Sequence, residues 1–270
     1  MDPASQSPDA HPPREIARLV ENLGVAKAAM GTISLLVLAL LAGAFISLGA
    51  LFFTVIVTGS GLGLGPTRLF GGLGFSLGLI LVIVAGAELF TGNNLLAMAW
   101  ASRLISTRAV LRNWCVVYLG NTVGCLGTAL VVWLAGTAAL GGGAVGQTAV
   151  EIARAKAALP LIEAFARGVL CNALVCLAVW LTLGGRTVAD KILAILFPIT
   201  AFVAVGFEHS IANWFFLPFG LLLDTQGTVA LSGVARNLAA TTLGNIAGGT
   251  LLVAAVYWVA YLRGETKATG

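Results

Sequence analysis

Six long apolar segments constrain the chain more than any other feature: about 31–57, 69–100, 110–139, 159–183, 192–223 and 238–262. A helix needs roughly 20 residues to cross a bilayer, and each segment is that long. Only 10% of the 270 residues are charged, against about 25% in soluble domains. The expected fold class is an all-α integral membrane protein with six transmembrane helices. The 34 glycines suit close helix packing in lipid.

The same composition excludes other functions. The net charge of +4 is dispersed, without a basic patch interleaved with aromatics, so no nucleic-acid partner is expected. No GxxxxGK[ST] loop and no strand–GxGxxG–helix context is present, so neither an enzyme nor a bound cofactor is expected. Cys115, Cys125, Cys171 and Cys176 lie in or beside apolar runs without CxxC spacing and read as reduced packing residues. No metal site is expected.

Residues 1–13 are polar and Pro-rich and read as a disordered leader. Residues 14–29 read as an amphipathic interfacial helix, with Ile16, Leu19, Val20 and Leu23 on one face. It serves either as a passive anchor or as a gate at the mouth of a pore. Residues 30–263 form the six-helix transmembrane domain, and 264–270 a cytoplasmic tail. Arg14, Arg18, Lys27, Arg103, Arg108, Arg112, Arg186, Lys191, Arg263 and Lys267 fall on one side of the membrane; Arg68, Arg154, Lys156 and Arg236 fall on the other. This excess places both termini in the cytoplasm. Trp100, Trp114, Trp133, Trp180, Tyr257, Trp258 and Tyr261 read as interface aromatics.

Within the fifth apolar segment lies Gly-Phe-Glu-His-Ser-Ile-Ala-Asn (206–213). A charge at mid-membrane costs roughly 3 kcal/mol or more, so an ionisable pair there marks a pathway. The second segment carries a partial copy, Gly-Ala-Glu-Leu-Phe-Thr-Gly-Asn (86–93), with Gly, Glu and Asn at matching positions. Each copy is followed by a Leu-Gly-Asn-x-x-Gly motif, at 119–124 and 243–248. Two motifs repeated in one order indicate an internal duplication. With three spans per copy, the second copy is inverted, and the broken second and fifth helices meet near the midplane. Gly120/Gly124 and Gly244/Gly248 read as small-xxx-small packing pairs.

His209 can donate a hydrogen bond when neutral and a proton when charged. Glu208 repels anions, and Lys156, placed at the outer end of the fourth span, can offset it. Glu88 reads as structural, satisfying backbone N–H groups of its own broken helix. Thr91, Asn93, Asn172 and Asn213 offer uncharged hydrogen bonds to a small polar solute. Phe75, Leu79, Leu89, Phe90, Val175 and Phe202 are bulky apolar flanks, which periodicity alone reads as core or lipid-facing. If they line the path they form dry constrictions. A bare anion entering such a region faces an idealised cost on the order of 20 kcal/mol, and a neutral acid far less. A histidine between two constrictions could protonate a weak-acid anion and pass it as a neutral molecule.

These motifs, with Gly-Gly-x-x-Phe-Ser-Leu-Gly-Leu (71–79), Leu-Val-Cys-Leu-Ala-Val-Trp (174–180) and Gly-Arg-x-x-x-Asp-Lys (185–191), resemble the formate/nitrite transporter family, and its formate channel branch in particular. The resemblance implies an aquaporin-like fold, a homopentamer with one pore per protomer, passage of small monovalent anions and protons, and a bacterial inner-membrane location. It implies that His209 is the central pore histidine, with Thr91 opposite. It implies that Phe75, Leu79, Leu89, Phe90, Val175 and Phe202 sit at the constrictions, and that Lys156, Glu208, Asn172 and Asn213 surround the histidine. Nitrite and hydrosulfide are the alternative substrates. A neutral-solute pore is a more distant reading, since no Asn-Pro-Ala motif is present. A haem-bearing subunit is poorer still, because His209 is the only histidine in the membrane region.

Overall fold

The computed structural model describes residues 10–264. Most of the proposed leader, and all of the tail after Gly264, lie outside the described residues. The fold is all-helical. Helix α1 spans Pro13–Ala29, starting on a proline whose missing N–H costs nothing in a first turn. Then come α2 (Thr32–Val57), α3 (Leu64–Ile80), which continues as a π-helical turn over Leu81–Gly86, and a 3₁₀ turn (Gly92–Leu95) that opens α4 (Leu96–Ala101). The remaining helices are α5 (Thr107–Leu134), α6 (Ala144–Ala157), α7 (Leu161–Gly184), α8 (Val188–Ala204), α9 (Ser210–Leu223) and α10 (Leu231–Ala247), which runs on through a π-helical stretch into α11 (Val256–Tyr261).

Among the described residues, five continuous helical stretches are long and apolar enough to cross a membrane: 32–57, 64–86, 107–134, 161–184 and 231–261. The fifth apolar segment is the exception. It forms two shorter helices, α8 and α9, separated by the non-helical residues 205–209. The helix pairings of the first half recur in the second: α2 packs on α3 and α5, as α7 packs on α8 and α10, and α1 packs on α4 as α6 packs on α9.

Several expectations are corrected. Helix α6 had no place in the six-segment reading, and Lys156 lies in its last turn rather than on the fourth span. Pro160, at the N-cap of α7, separates the two. Helix α10 begins at Leu231, not near 238, so Arg236 and Asn237 are inside it. Trp180 is buried, stacked 4.0 Å from Tyr257, and Trp114 donates to the Asn93 carbonyl at 2.9 Å, so neither is a free interface anchor.

Where α5 crosses α2, a Cβ on Gly120 would sit 2.5 Å from that of Ala39, and one on Gly124 would meet the Leu40 carbonyl. Gly244 and Gly248 lie as tightly against the Phe165 and Val169 carbonyls of α7. Because the obstacle is backbone, Gly248→Val is expected to destabilise by at least the roughly 3 kcal/mol upper end of ordinary overpacking. Gly127, on the same helix as Gly124, has open space around it. Gly127→Ala is expected to be neutral or stabilising, by up to about 1 kcal/mol. Thermal unfolding in detergent compares the two. At the loop end of α8, Asp190 closes a capping box with Thr187. Backbone N–H groups of Thr187 and Arg186 hold its carboxyl below the usual carboxylate range.

Candidate transport site

The two Gly-x-Glu motifs form the two non-helical loops in the interior. Gly86 and Gly206 both turn the chain with positive φ, +85° and +75°, a region that side chains other than glycine's disfavour. This single requirement explains why glycine opens both copies. Beyond it the backbone leaves its helix, and its polar groups need partners.

The asparagines of the Leu-Gly-Asn motifs supply them. Asn121 donates to the Ala39 and Glu88 carbonyls and accepts from the Phe90 N–H at 2.9 Å. Asn245 repeats the arrangement, donating to the Gly168 and Glu208 carbonyls and accepting from the Ser210 N–H at 2.8 Å. The sequence reading assigned these motifs to glycine packing and missed the asparagines, although their presence in both copies was the available signal.

A second tier is also doubled. Lys156 Nζ lies 2.8 Å from Glu208 Oε1; Asn213 donates to Glu208 Oε2 at 2.7 Å and to Asn237 at 2.8 Å; Asn237 donates to the Lys156 carbonyl. In the first half, Lys27 Nζ lies 2.8 Å from Glu88 Oε1; Asn93 donates to Glu88 Oε2 at 2.8 Å and to Asn113 at 2.9 Å; Asn113 donates to the Lys27 carbonyl. Glu88 therefore pairs with side chains of α1 and of its own loop, not with the backbone N–H groups expected of it. Lys27, Asn113 and Asn237 were missed as site residues. Each looks in sequence like an ordinary loop cation or an isolated polar residue.

The correspondence between these two sets of contacts ends at His209, where the first motif has Leu89. His209 caps α9: its Nδ1 accepts the Ala212 N–H at 3.0 Å. A neutral ring so held carries its proton on Nε2, which lies 3.0 Å from the hydroxyl of Thr91. The ring stacks on Phe202 at 6.0 Å, and Phe202 meets Phe75 edge-on at 5.6 Å.

Two cavities approach this centre. One, of about 320 Å³, is lined by Phe75, Phe202, His209, Glu208, Lys156 and Asn213 among others. The other, of about 50 Å³, lies beside α1 and is lined by Lys27, Leu79, Leu89 and Asn93 among others. Phe75 and Phe202 thus border the first cavity, and Leu79 and Leu89 the second. Phe90 and Val175 line neither: the Phe90 ring packs 4.9 Å from Tyr118, and Val175 is buried. Asn172 does not reach His209; it donates to the Thr91 carbonyl at 3.2 Å and to Asn94 and the Asn245 carbonyl at 2.7 Å each. It fixes the Thr91 loop from behind.

An apolar helical bundle with charge-paired loops, one cavity ending on a buried histidine and a second beside the other loop has the build of a membrane transport protein. The model of the family described as formate/nitrite transporter matches residues 14–259. The chain belongs to the formate/nitrite transporter family, a family of channels and transporters rather than enzymes. It is 39% identical over 269 residues to the formate channel FocA of Escherichia coli (strain K12), covering 93% of this chain and 94% of that one. It is 41% identical over 230 residues to FocA of Haemophilus influenzae, covering 78% of this chain and 81% of that one. A solved pentameric formate channel with formate bound superposes with a TM-score of 0.80 at 37% identity, covering 86% of this chain and 98% of that chain.

Proposed function

We propose that the chain passes small monovalent anions across the membrane, formate first among them, with nitrite and hydrosulfide as the alternatives within the family. The observation that carries formate is the likeness to a channel solved with formate bound. The same likeness supports a homopentamer with one pore per protomer. The recurring helix pairings and the doubled Lys–Glu–Asn–Asn tiers support two inverted three-helix repeats of aquaporin-like plan, the second and fifth spans broken at residues 87–91 and 205–209. On the charge balance of the loops both termini are cytoplasmic in a bacterial inner membrane, and the α6-side cavity opens outward. On the same plan the channel domain is 30–263 and α1 lies at the cytoplasmic interface.

The path runs from the larger cavity past Phe75 and Phe202 to His209 and Thr91, then past Leu79 and Leu89 to the cavity beside Lys27. The lysines draw the anion in, and the apolar pairs exclude water. A neutral imidazole does not give up its last proton, so His209 acts as donor through the imidazolium. To form it, Nδ1 takes a proton and the Ala212 N–H loses its acceptor. The imidazolium then passes its Nε2 proton to the carboxylate oxygen of formate, leaving a neutral ring protonated on Nδ1; loss of that proton from Nδ1 and uptake of one at Nε2 restore the capped state. Neutral formic acid leaves through the second apolar pair. Protonation is thereby tied to the first turn of α9.

Flux into proteoliposomes of formate, nitrite and hydrosulfide, each at about pH 5.5 and 7.5, tests the substrate. Formate is expected to dominate. Dominance of either other anion would overturn the formate assignment, and rapid water flux without anion flux would overturn anion transport.

A further inference from the structure

The cavity that ends on His209 carries two arginines to which the path above gives no role. Arg68 enters from the first turns of α3 and Arg167 from those of α7, and both line the cavity. A Cβ built on Gly206 would lie 3.9 Å from the Nη1 atom of each. Two guanidiniums from separate helices therefore converge on one point of the loop that carries Glu208 and His209. Arg167 is partly engaged: Nη1 reaches the Gly206 carbonyl at 3.5 Å, and Nη2 reaches Glu163 at 3.2 Å in an exposed pair. Arg68 has no hydrogen-bond or ion-pair partner among the described residues. Among its lining residues this cavity holds three cations, with Lys156, against the one carboxylate of Glu208. The cavity beside α1 has Lys27 as the only charged residue in its lining.

We propose that Arg68 and Arg167 form a recruitment site for small planar oxyanions, carboxylates above all, which loads the His209 cavity from the α6 side. The proposal rests on the transport reading. A guanidinium presents a planar fork that matches a carboxylate, and it stays charged at any working pH. Cations gathered in a low-dielectric cleft raise the local concentration of anions. Lys156 cannot supply this fork: it is a point charge, paired with Glu208 and set 5.3 Å over the Phe216 ring.

The test compares wild type with Arg68→Gln, Arg167→Gln and the double variant in vesicles of uncharged lipid, at about 0.1 M and 1 M ionic strength. The screening length falls from roughly 10 Å to 3 Å between the two. The double variant is expected to raise the apparent KM for formate on the order of tenfold at low salt, more than it lowers maximal flux, and the difference shrinks at high salt. Arg68→Lys and Arg167→Lys recover part of the loss, and they keep the test open if the double variant does not insert. Line broadening of ¹³C-formate by detergent-solubilised protein reads capture without transport. Broadening equal in wild type and double variant, or a salt-independent KM common to both, overturns the recruitment site. Broadening lost in the double variant, with no wild-type flux, supports the site and overturns the transport reading instead.

Discussion

Replacing His209 by Phe is expected to abolish the pH response of formate flux. Proton supply to the histidine falls as pH rises from about 5.5 to 7.5, and wild-type flux is expected to fall with it. Phenylalanine offers neither a proton nor a hydrogen bond to Thr91, so its flux would be flat across the window. It also strips the cap from Ala212 N–H, which a merely structural role would equally explain. His209→Asn separates the two. Asparagine is a good N-cap and can hydrogen-bond, but does not titrate. The expected outcome is a folded protein whose flux is again independent of pH. An asparagine variant that kept the wild-type response would remove the histidine from the protonation step.

Breaking the Lys156–Glu208 pair is expected to have the largest effect on stability. The two side chains are 16% and 5% exposed, so neither charge is well hydrated. Glu208→Ala leaves the ammonium without its partner and removes one acceptor each from Asn213 and Asn237. Removing one partner of a buried pair costs about 3–5 kcal/mol, most of it the penalty of the stranded charge. Combining Lys156→Met with Glu208→Gln removes both charges and is expected to recover much of that loss. The Arg167–Glu163 pair is the contrast. Its side chains are 41% and 53% exposed, and pairs of that kind are worth about 0–1 kcal/mol. Glu163→Ala is therefore expected to leave the unfolding temperature nearly unchanged. Calorimetry of the variants in one detergent ranks them; a Glu163→Ala loss equal to that of Glu208→Ala would mean that burial does not set the scale.

The sequence made some of this legible for reasons that are physical. An ionisable pair in an apolar run is too costly to be incidental, so Glu208 and His209 stood out. Gly86 and Gly206 recur because both loops require positive φ. Other parts stayed hidden. Helix α6 has only 14 residues and is broken up by Gln147, Glu151 and Arg154, so it gave no membrane-length signal. Without α6, Lys156 was attached to the wrong element. Lys27 was read as a topology charge because nothing local links it to Glu88, 61 positions away. Phe90 and Val175 show why periodicity cannot choose between a cavity wall and a core. Both are buried and apolar like Phe202, and only the neighbouring helices separate them. Asn172 was expected in the polar network around the histidine, and its bond there is to the Thr91 carbonyl, a partner that sequence spacing does not identify.

The most direct measurement of the central claim follows lumenal pH in proteoliposomes during an imposed formate gradient, with and without potassium and valinomycin to compensate charge. Protein-free vesicles supply the background. If His209 passes formate as the neutral acid, entry acidifies the lumen and proceeds without charge compensation. Formate entry that leaves lumenal pH unchanged and stops unless charge is compensated would show the bare anion crossing, and would contradict protonation at His209.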